Sequence, residues 1–189
     1  MGRSSQEKAD TNRHRIVDAA ARLFRSRGYD AVGIADVMKA AGMTQGGFYK
    51  HFASKEALAV EAWSAGFQEA AAYWCEQDGG NSSVASIVND YLSPKPPELR
   101  CPMVAHAEEA ARVDEGGRMS GAFVEGAGLL YDTFMEAAAG SMDGDKARLV
   151  FAAMVGANLL SRAAGTAKWF SALEQSVKQA AGEPATGSR

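Results

Sequence analysis

The chain has 189 residues, enough for one large domain or two small ones. Apolar residues make up 47% and charged residues 23%, the composition of a globular protein, and two cysteines cannot build a disulfide framework of the secreted kind. The net charge of −3 conceals an asymmetry: residues 1–60 hold ten Lys and Arg against six Asp and Glu, net +4, and the rest of the chain is net −7.

A basic first third on an acidic body points to a polyanion partner for the first part alone. The opening "MGRSSQEKAD" has no apolar core, so no secretory signal is expected, and a reducing, cytoplasmic location is. The most apolar run, Leu149 to Leu160, has twelve residues, too short to span a bilayer, so no membrane partner is expected.

The elements read as helices throughout, with no period-two alternation. "NRHRIVDAAARLFRSRG" places Ile16, Ala20, Leu23 and Phe24 on one helical face, with Gly28 just beyond the end. "GIADVMKAAGM" predicts a second helix with Ile34, Val37 and Met38 apolar and Gly42 as its stop. Thr44 is an N-cap for a short helix from Gln45 to about Phe52. Ser54 caps a long helix over 55–77, with Ala59, Ala62, Trp63, Gly66, Ala70, Tyr73 and Trp74 along one side. A short helix is expected within 81–93, and "SPKPPELRCP" breaks it, because prolines at that density cannot stay helical. "CPMVAHAEEAAR" restarts a helix with Cys101 at the cap and Pro102 at the first helical position. Further helices are expected over about 117–139, in "DGDKARLVFAAMVGANLLSRAAG" and in "AKWFSALEQSVKQAAG". Glycines at 116, 117, 121, 126 and 128 weaken the first of these or break it early. The ends, roughly 1–9 and 182–189, are polar and expected to be disordered.

The stretch "GMTQGGFYKHFASKEAL" sets adjacent glycines, Gly46 and Gly47, before an aromatic and basic cluster. Three helices in the first 52 residues, the last two short and separated by "AGMT", describe a helix-turn-helix. In that motif the second short helix enters the DNA major groove. Bare backbone at positions 46 and 47 would let the helix approach phosphates and bases closely. Thr44 and Gln45 stand at its N-terminus, and Gln45 suits a bidentate contact with adenine. Tyr49, His51 and Lys55 suit phosphate contacts, and Lys50 suits either role. Phe48 and Phe52 fall on one face and belong to a small core with Ile16, Leu23, Phe24, Ile34 and Val37.

The segment "RIVDAAARLFRSRGYDAVGIADVMKAAGMTQGGFYKHFASKEAL" closely resembles the DNA-binding region of the TetR/AcrR family of transcriptional repressors. The resemblance covers about 45 residues in unbroken order, from Ile16-Val17 and Leu23-Phe24 through Gly28-Tyr29 to "FYKHFASKEAL". It implies an all-α fold, with an N-terminal three-helix helix-turn-helix domain over 10–56 and a helical ligand-binding and dimerisation domain over 57–182. It also implies that residues 43 to 55 read DNA, with Tyr49 and Lys55 on the backbone. Gly33 departs from the family, which commonly has serine or threonine capping the second helix, and a phosphate contact is lost with it.

The implied partners are a double-stranded DNA operator, a second copy of the chain and a small-molecule effector, with no cofactor. A homodimer through the last two helices fits the sequence, because Leu149 to Leu160 is apolar nearly all round and needs cover on more than one side. Its interface is expected to use Phe151, Val155, Leu159, Trp169, Phe170 and Leu173. An effector pocket is expected among Trp63, Phe67, Trp74, Tyr91, Met103, Phe123, Tyr131 and Phe134. Each of these side chains, taken singly, is more often plain core than a ligand contact.

Cys101, preceded by Arg100 at a helix N-terminus, is a candidate sensor of electrophiles or oxidants, because the helix dipole favours a thiolate there. Cys75, beside Trp74, is expected to be buried. Two alternatives therefore stand beside a ligand-released repressor: one that senses through Cys101, and a small-molecule binding protein with no DNA partner. No enzyme is expected. Cys101 and His106 are five residues apart on one helix and point in different directions, and Glu108 and Glu109 are adjacent and share no face. The three histidines and two cysteines have no metal-ligand spacing, so no metal is expected.

Overall fold

A computed structural model describes residues 3–77, 83–112, 117–165 and 167–182. All regular structure among the described residues is helical. The elements are α1 (Arg3–Arg27), α2 (Ile34–Ala40), a 3₁₀ helix (Gln45–Lys50), α3 (Lys55–Glu76), α4 (Val84–Tyr91), a 3₁₀ turn (Pro97–Leu99), α5 (Pro102–Arg112), α6 (Arg118–Ala138), α7 (Gly144–Ala164) and α8 (Lys168–Gly182). The polar start of the chain is thus helical from Arg3, where disorder to about residue 9 was expected. The expected disorder at 183–189 lies outside the described residues.

The chain forms two compact units, residues 1–68 with 95–126, and residues 69–94 with 127–189. The first unit is built on the face of α1 that buries Ile16, Val17, Ala20, Ala21 and Phe24. Gly28 and Gly42 both adopt left-handed φ, +83° and +73°, which an L side chain resists. At Gly42 the turn closes with Met43 N–H donating to Met38 O at 2.8 Å, which ends α2 and aims the chain into the next helix. At Gly33, where a cap side chain is missing, the backbone N–H donates to Asp36 Oδ2 at 2.9 Å. Ser54 Oγ accepts from Ala57 N at 3.0 Å and starts α3.

One core joins α1, α2 and the 3₁₀ helix to Leu58, Ala59, Ala62 and Trp63 of α3, Ala110 of α5 and Met119 of α6. This unit therefore runs past residue 56 along α3 and takes back a later segment of the chain. The buried side of α3 also differs from the expected one: Phe67 and Ala71 are buried, and Tyr73 is exposed. α6 is continuous through its glycines, with Gly121 N donating to Gly117 O at 2.9 Å. Gly126 is required, because a Cβ there would stand 2.1 Å from the Phe67 ring. The glycine at 116 lies outside the described residues.

In the second unit α8 packs on α7 and α4. Ser83 caps α4 by accepting from Ser86 N at 3.1 Å. Asp143 caps α7 by accepting from Asp145 N at 2.9 Å and Lys146 N at 3.3 Å. α7 is 21 residues long and, by length and composition alone, could cross a membrane. It carries Asp145, Lys146, Arg148 and Arg162, and one face, Ala147, Val150, Met154 and Ala157, is buried in this unit.

Candidate nucleic-acid interface

The Gln45–Lys50 element is a 3₁₀ helix, where an α-helix to about Phe52 was expected. Its hydrogen bonds run from Gly47 N to Thr44 O at 3.1 Å and from His51 N to Phe48 O at 2.9 Å. Thr44 has the extended backbone of an N-cap, but its side chain makes no capping bond. The tighter winding follows from its shortness and its glycines, which give an α-helical ladder little to hold.

Packing fixes the element by its inner side. Phe48 is buried and stacks on Phe52 at 5.8 Å, and α2 lies against the element. Tyr49 turns outward and is 71% exposed, its ring edge-on to Phe48 at 5.2 Å. Thr44, Gln45, Gly46 and Lys50 are exposed, and Gly47 and His51 are half-buried. A Cβ on Gly46 would meet nothing within 4 Å, and one on Gly47 would touch only Met38 Cε at 3.6 Å. Neither glycine has a left-handed φ. Nothing inside the chain therefore demands glycine at 46 or 47.

Lys55 is half-buried and already engaged. Its ammonium donates to Tyr29 O at 2.7 Å and lies 4.0 Å from the centroid of the Tyr29 ring. Two of its three protons remain for another acceptor. Tyr29 N donates in turn to Glu109 Oε1, eighty positions along the chain on α5. Glu109 Oε2 lies 3.6 Å from Nδ1 of His106, an ion-pair distance just beyond a hydrogen bond. His106 is 1% exposed and stacks on Trp63, rings 4.5 Å apart and nearly parallel. Burial holds the His106 pKa below the ordinary histidine value; Glu109 pulls it up, and Arg25 pushes it down. The sequence reading assigned none of these links, because they join residues far apart in the chain.

The eight aromatic and Met side chains expected around an effector divide evenly between the two units. In the first unit, Trp63, Phe67 and Met103 are buried, and Phe67 meets Phe123 edge-on at 5.8 Å. In the second, Trp74 meets Tyr91 at 5.8 Å, and Tyr131 and Phe134 pack on Phe151 at 5.5 and 5.3 Å. A cleft of about 530 Å³ beside α1 is lined by others, among them Arg15, Asp18, Arg22, Leu23 and Glu98.

Of the residues expected at a dimer contact, Leu159 and Trp169 are 54% and 57% exposed. Phe151, Val155 and Leu173 are half-buried, and Phe170, 6% exposed, faces inward. Leu149, which was not singled out, is 71% exposed on α7. Neither cysteine is in a disulfide; Cys101 is half-buried, and Cys75 is exposed, correcting the expectation that it is buried. The helical turn at Cys75 buries Trp74 and points the thiol the other way.

Residues 16–62 match the family described as bacterial regulatory proteins, tetR family. Over 63 residues the chain is 38% identical to the HTH-type transcriptional regulator AcrR of Shigella flexneri, a match covering 33% of this chain and 29% of that protein. The chain thus spans less than a third of the length of the curated relatives it matches first. By fold the likeness is much longer. A TetR-family transcriptional regulator from Cytophaga hutchinsonii superposes with a TM-score of 0.73 at 17% identity, covering 96% of this chain and 98% of that one. E. coli NemR in its reduced form superposes with a TM-score of 0.71 at 22% identity, covering 89% and 96%.

Proposed function

We propose that this chain, a member of the TetR family of bacterial regulatory proteins, binds a palindromic DNA operator as a homodimer and represses transcription until a small molecule releases it. The observation that carries the reading is the pair of glycines at 46 and 47. A Cβ would fit the free chain at either position, and neither backbone bends in a way that excludes one. A surface pressed against them from outside accounts for both. The 3₁₀ helix would enter the major groove with Thr44, Gln45, Gly46, Gly47 and Lys50 toward the bases. Tyr49, His51 and the free protons of Lys55 would hold phosphates. Residues 10–56 would carry the DNA contacts and 57–182 the effector and partner contacts, although the core beneath the reading helix also draws on α3, α5 and α6.

The dimer would form through the exposed apolar side of α7 with α8, around Leu159 and Trp169. Two-fold symmetry would then set two reading helices about 34 Å apart, or a multiple of it. An effector would act through its unequal affinity for the DNA-competent and incompetent arrangements.

The test is binding to duplex DNA as a function of salt. The constant should fall steeply, by about 0.9 power of salt for each phosphate held. A flat response would leave a small-molecule binding protein as the better reading. A Gly47→Leu variant that folds normally yet still shifts the same duplex would also remove the reading's foundation.

A second reading uses Cys101, half-buried immediately before Pro102 at the start of α5, in a fold shared with NemR, which was solved in a reduced form. Here modification of the thiol would release DNA. If a Cys101→Ser protein still lets go of DNA on treatment with N-ethylmaleimide, that reading is lost.

A further inference from the structure

We propose that Arg13 is the positioning residue of the DNA-reading helix: from α1 its guanidinium holds the helix's terminal carbonyl to α3, without itself contacting DNA. The proposal rests on the reading above and names a residue that the sequence pattern did not single out.

Three contacts carry it. Arg13 Nη1 donates to the backbone carbonyl of His51, the residue that ends the 3₁₀ helix. Its Nη2 pairs with Glu61 Oε1 on α3. Its Cζ stands 4.1 Å from the centroid of the Phe52 ring, which is itself buried. One planar group therefore reaches three places, 38, 39 and 48 positions away in sequence.

The reading helix needs such a tie. It has six residues, two of them glycine, and 3₁₀ hydrogen bonds are poorly aligned. A helix leaves its last carbonyls without internal donors. At His51 the missing donor comes from Arg13. The guanidinium suits the task because its donors point in fixed, divergent directions in one plane. A lysine at the same place could serve the carbonyl or the carboxylate, and would hold no fixed angle between them. The ion pair alone would count for little, since both side chains are partly exposed, 38% and 42%. What matters is that the end of the helix is fixed relative to α1 and α3. An element already set at the angle the groove requires loses less entropy on binding.

The experiment uses the full-length protein and a duplex that the wild type has enriched from a random pool. Arg13→Ala and Arg13→Lys are each titrated over a range of salt. Both should bind about tenfold more weakly, with the slope of log K against log salt unchanged, because a lost phosphate contact lowers that slope by about 0.9. In the DNA-free protein, amide exchange from Phe48 to Phe52 should rise in both variants. A shallower slope in Arg13→Ala, with affinity recovered in Arg13→Lys, would make Arg13 a phosphate ligand and overturn the proposal. Equal affinity in all three proteins would overturn it as well. Should Arg13→Ala fail to fold, Glu61→Gln replaces it. That variant keeps the His51 bond and removes the α3 anchor, so it should show the same unchanged slope with a smaller loss; an affinity equal to the wild type would count against the tie. Absence of any DNA binding by the wild type would sink the proposed function instead, and the exchange difference would still report on the tie itself.

Discussion

The 45–50 helix and the outward side of α7 misfit an isolated chain in opposite ways. At Gly46 there is room for a side chain and none is present. At Leu149, Leu159 and Leu160 large apolar side chains stand partly in solvent. One region has too little side chain and the other too much. Each makes sense against a different outside surface: a highly charged duplex that must come close to backbone, and an apolar surface of equal character that must be kept dry. On the proposed reading the first kind of contact would need accurate placement, which the bond from Arg13 to the His51 carbonyl would supply. The second would need area, which the outward face of α7 offers while the opposite face is packed in its own unit.

The comparison breaks most visibly at the apolar face. Leu159 is 54% exposed in the single chain, so Leu159→Asp in both subunits costs a two-fold contact about 1.5–3 kcal/mol of apolar burial, roughly ten- to a hundredfold, and more from the two carboxylates set in the contact. Sedimentation at micromolar concentration should show monomers; an unchanged dimer would move the interface elsewhere. Next in size is Gly46→Leu, which fills open space in the free chain. Its effect on folding should stay within about 0.5 kcal/mol, while DNA affinity should fall about a hundredfold as base contacts of 1–3 kcal/mol each are lost. Normal binding in a gel shift would mean that no surface approaches position 46.

Tyr49→Phe should cost less, about tenfold, the worth of one hydrogen bond to a charged group. The loss should be alike on specific and random duplexes, and a loss confined to one base position would remove Tyr49 from the phosphates. Smallest is a proton effect on stability. Because the folded His106 pKa lies below the ordinary value, the unfolded chain takes up the proton first as pH falls. Stability should therefore decline as pH drops below about 6.5 and continue down through the folded pKa. Urea midpoints measured over that range should decline less in His106→Gln. Parallel curves would show that Glu109 and Arg25, which also face the ring, balance it.

Much of this architecture was written in local pattern. The helix stops at Gly28 and Gly42 follow from left-handed φ, and the caps at Ser54 and the proline at 102 follow from chemistry within one turn. The buried set of Ile16, Phe24, Val37, Phe48 and Phe52 follows from spacing. What stayed hidden has other causes. The tighter winding at 45–50 left no trace in the pattern, because apolar spacing over six residues fits an α-helical and a 3₁₀ turn alike. The helix before residue 10 lacks an apolar stripe, so periodicity gave it no support. Phe170 falls in the same stripe as Trp169 in sequence, and only the position of α4 and α7 turns one inward and the other out. Arg13 and Glu109 act on partners that lie 38 and 80 positions away, and charged residues at such distances look like ordinary surface.

The tie from Glu109 to Tyr29 bears on the order in which the polypeptide is made. When the first sixty residues have left the ribosome, the amide at Tyr29 has no carboxylate to receive it, and the inner side of α3 still lacks Ala110 and Met119. The unit that holds the 45–50 helix is assembled from both an early and a late stretch of message. An excised N-terminal fragment would be an unfinished object, and nascent chains released before residue 109 should be the ones that proteases remove.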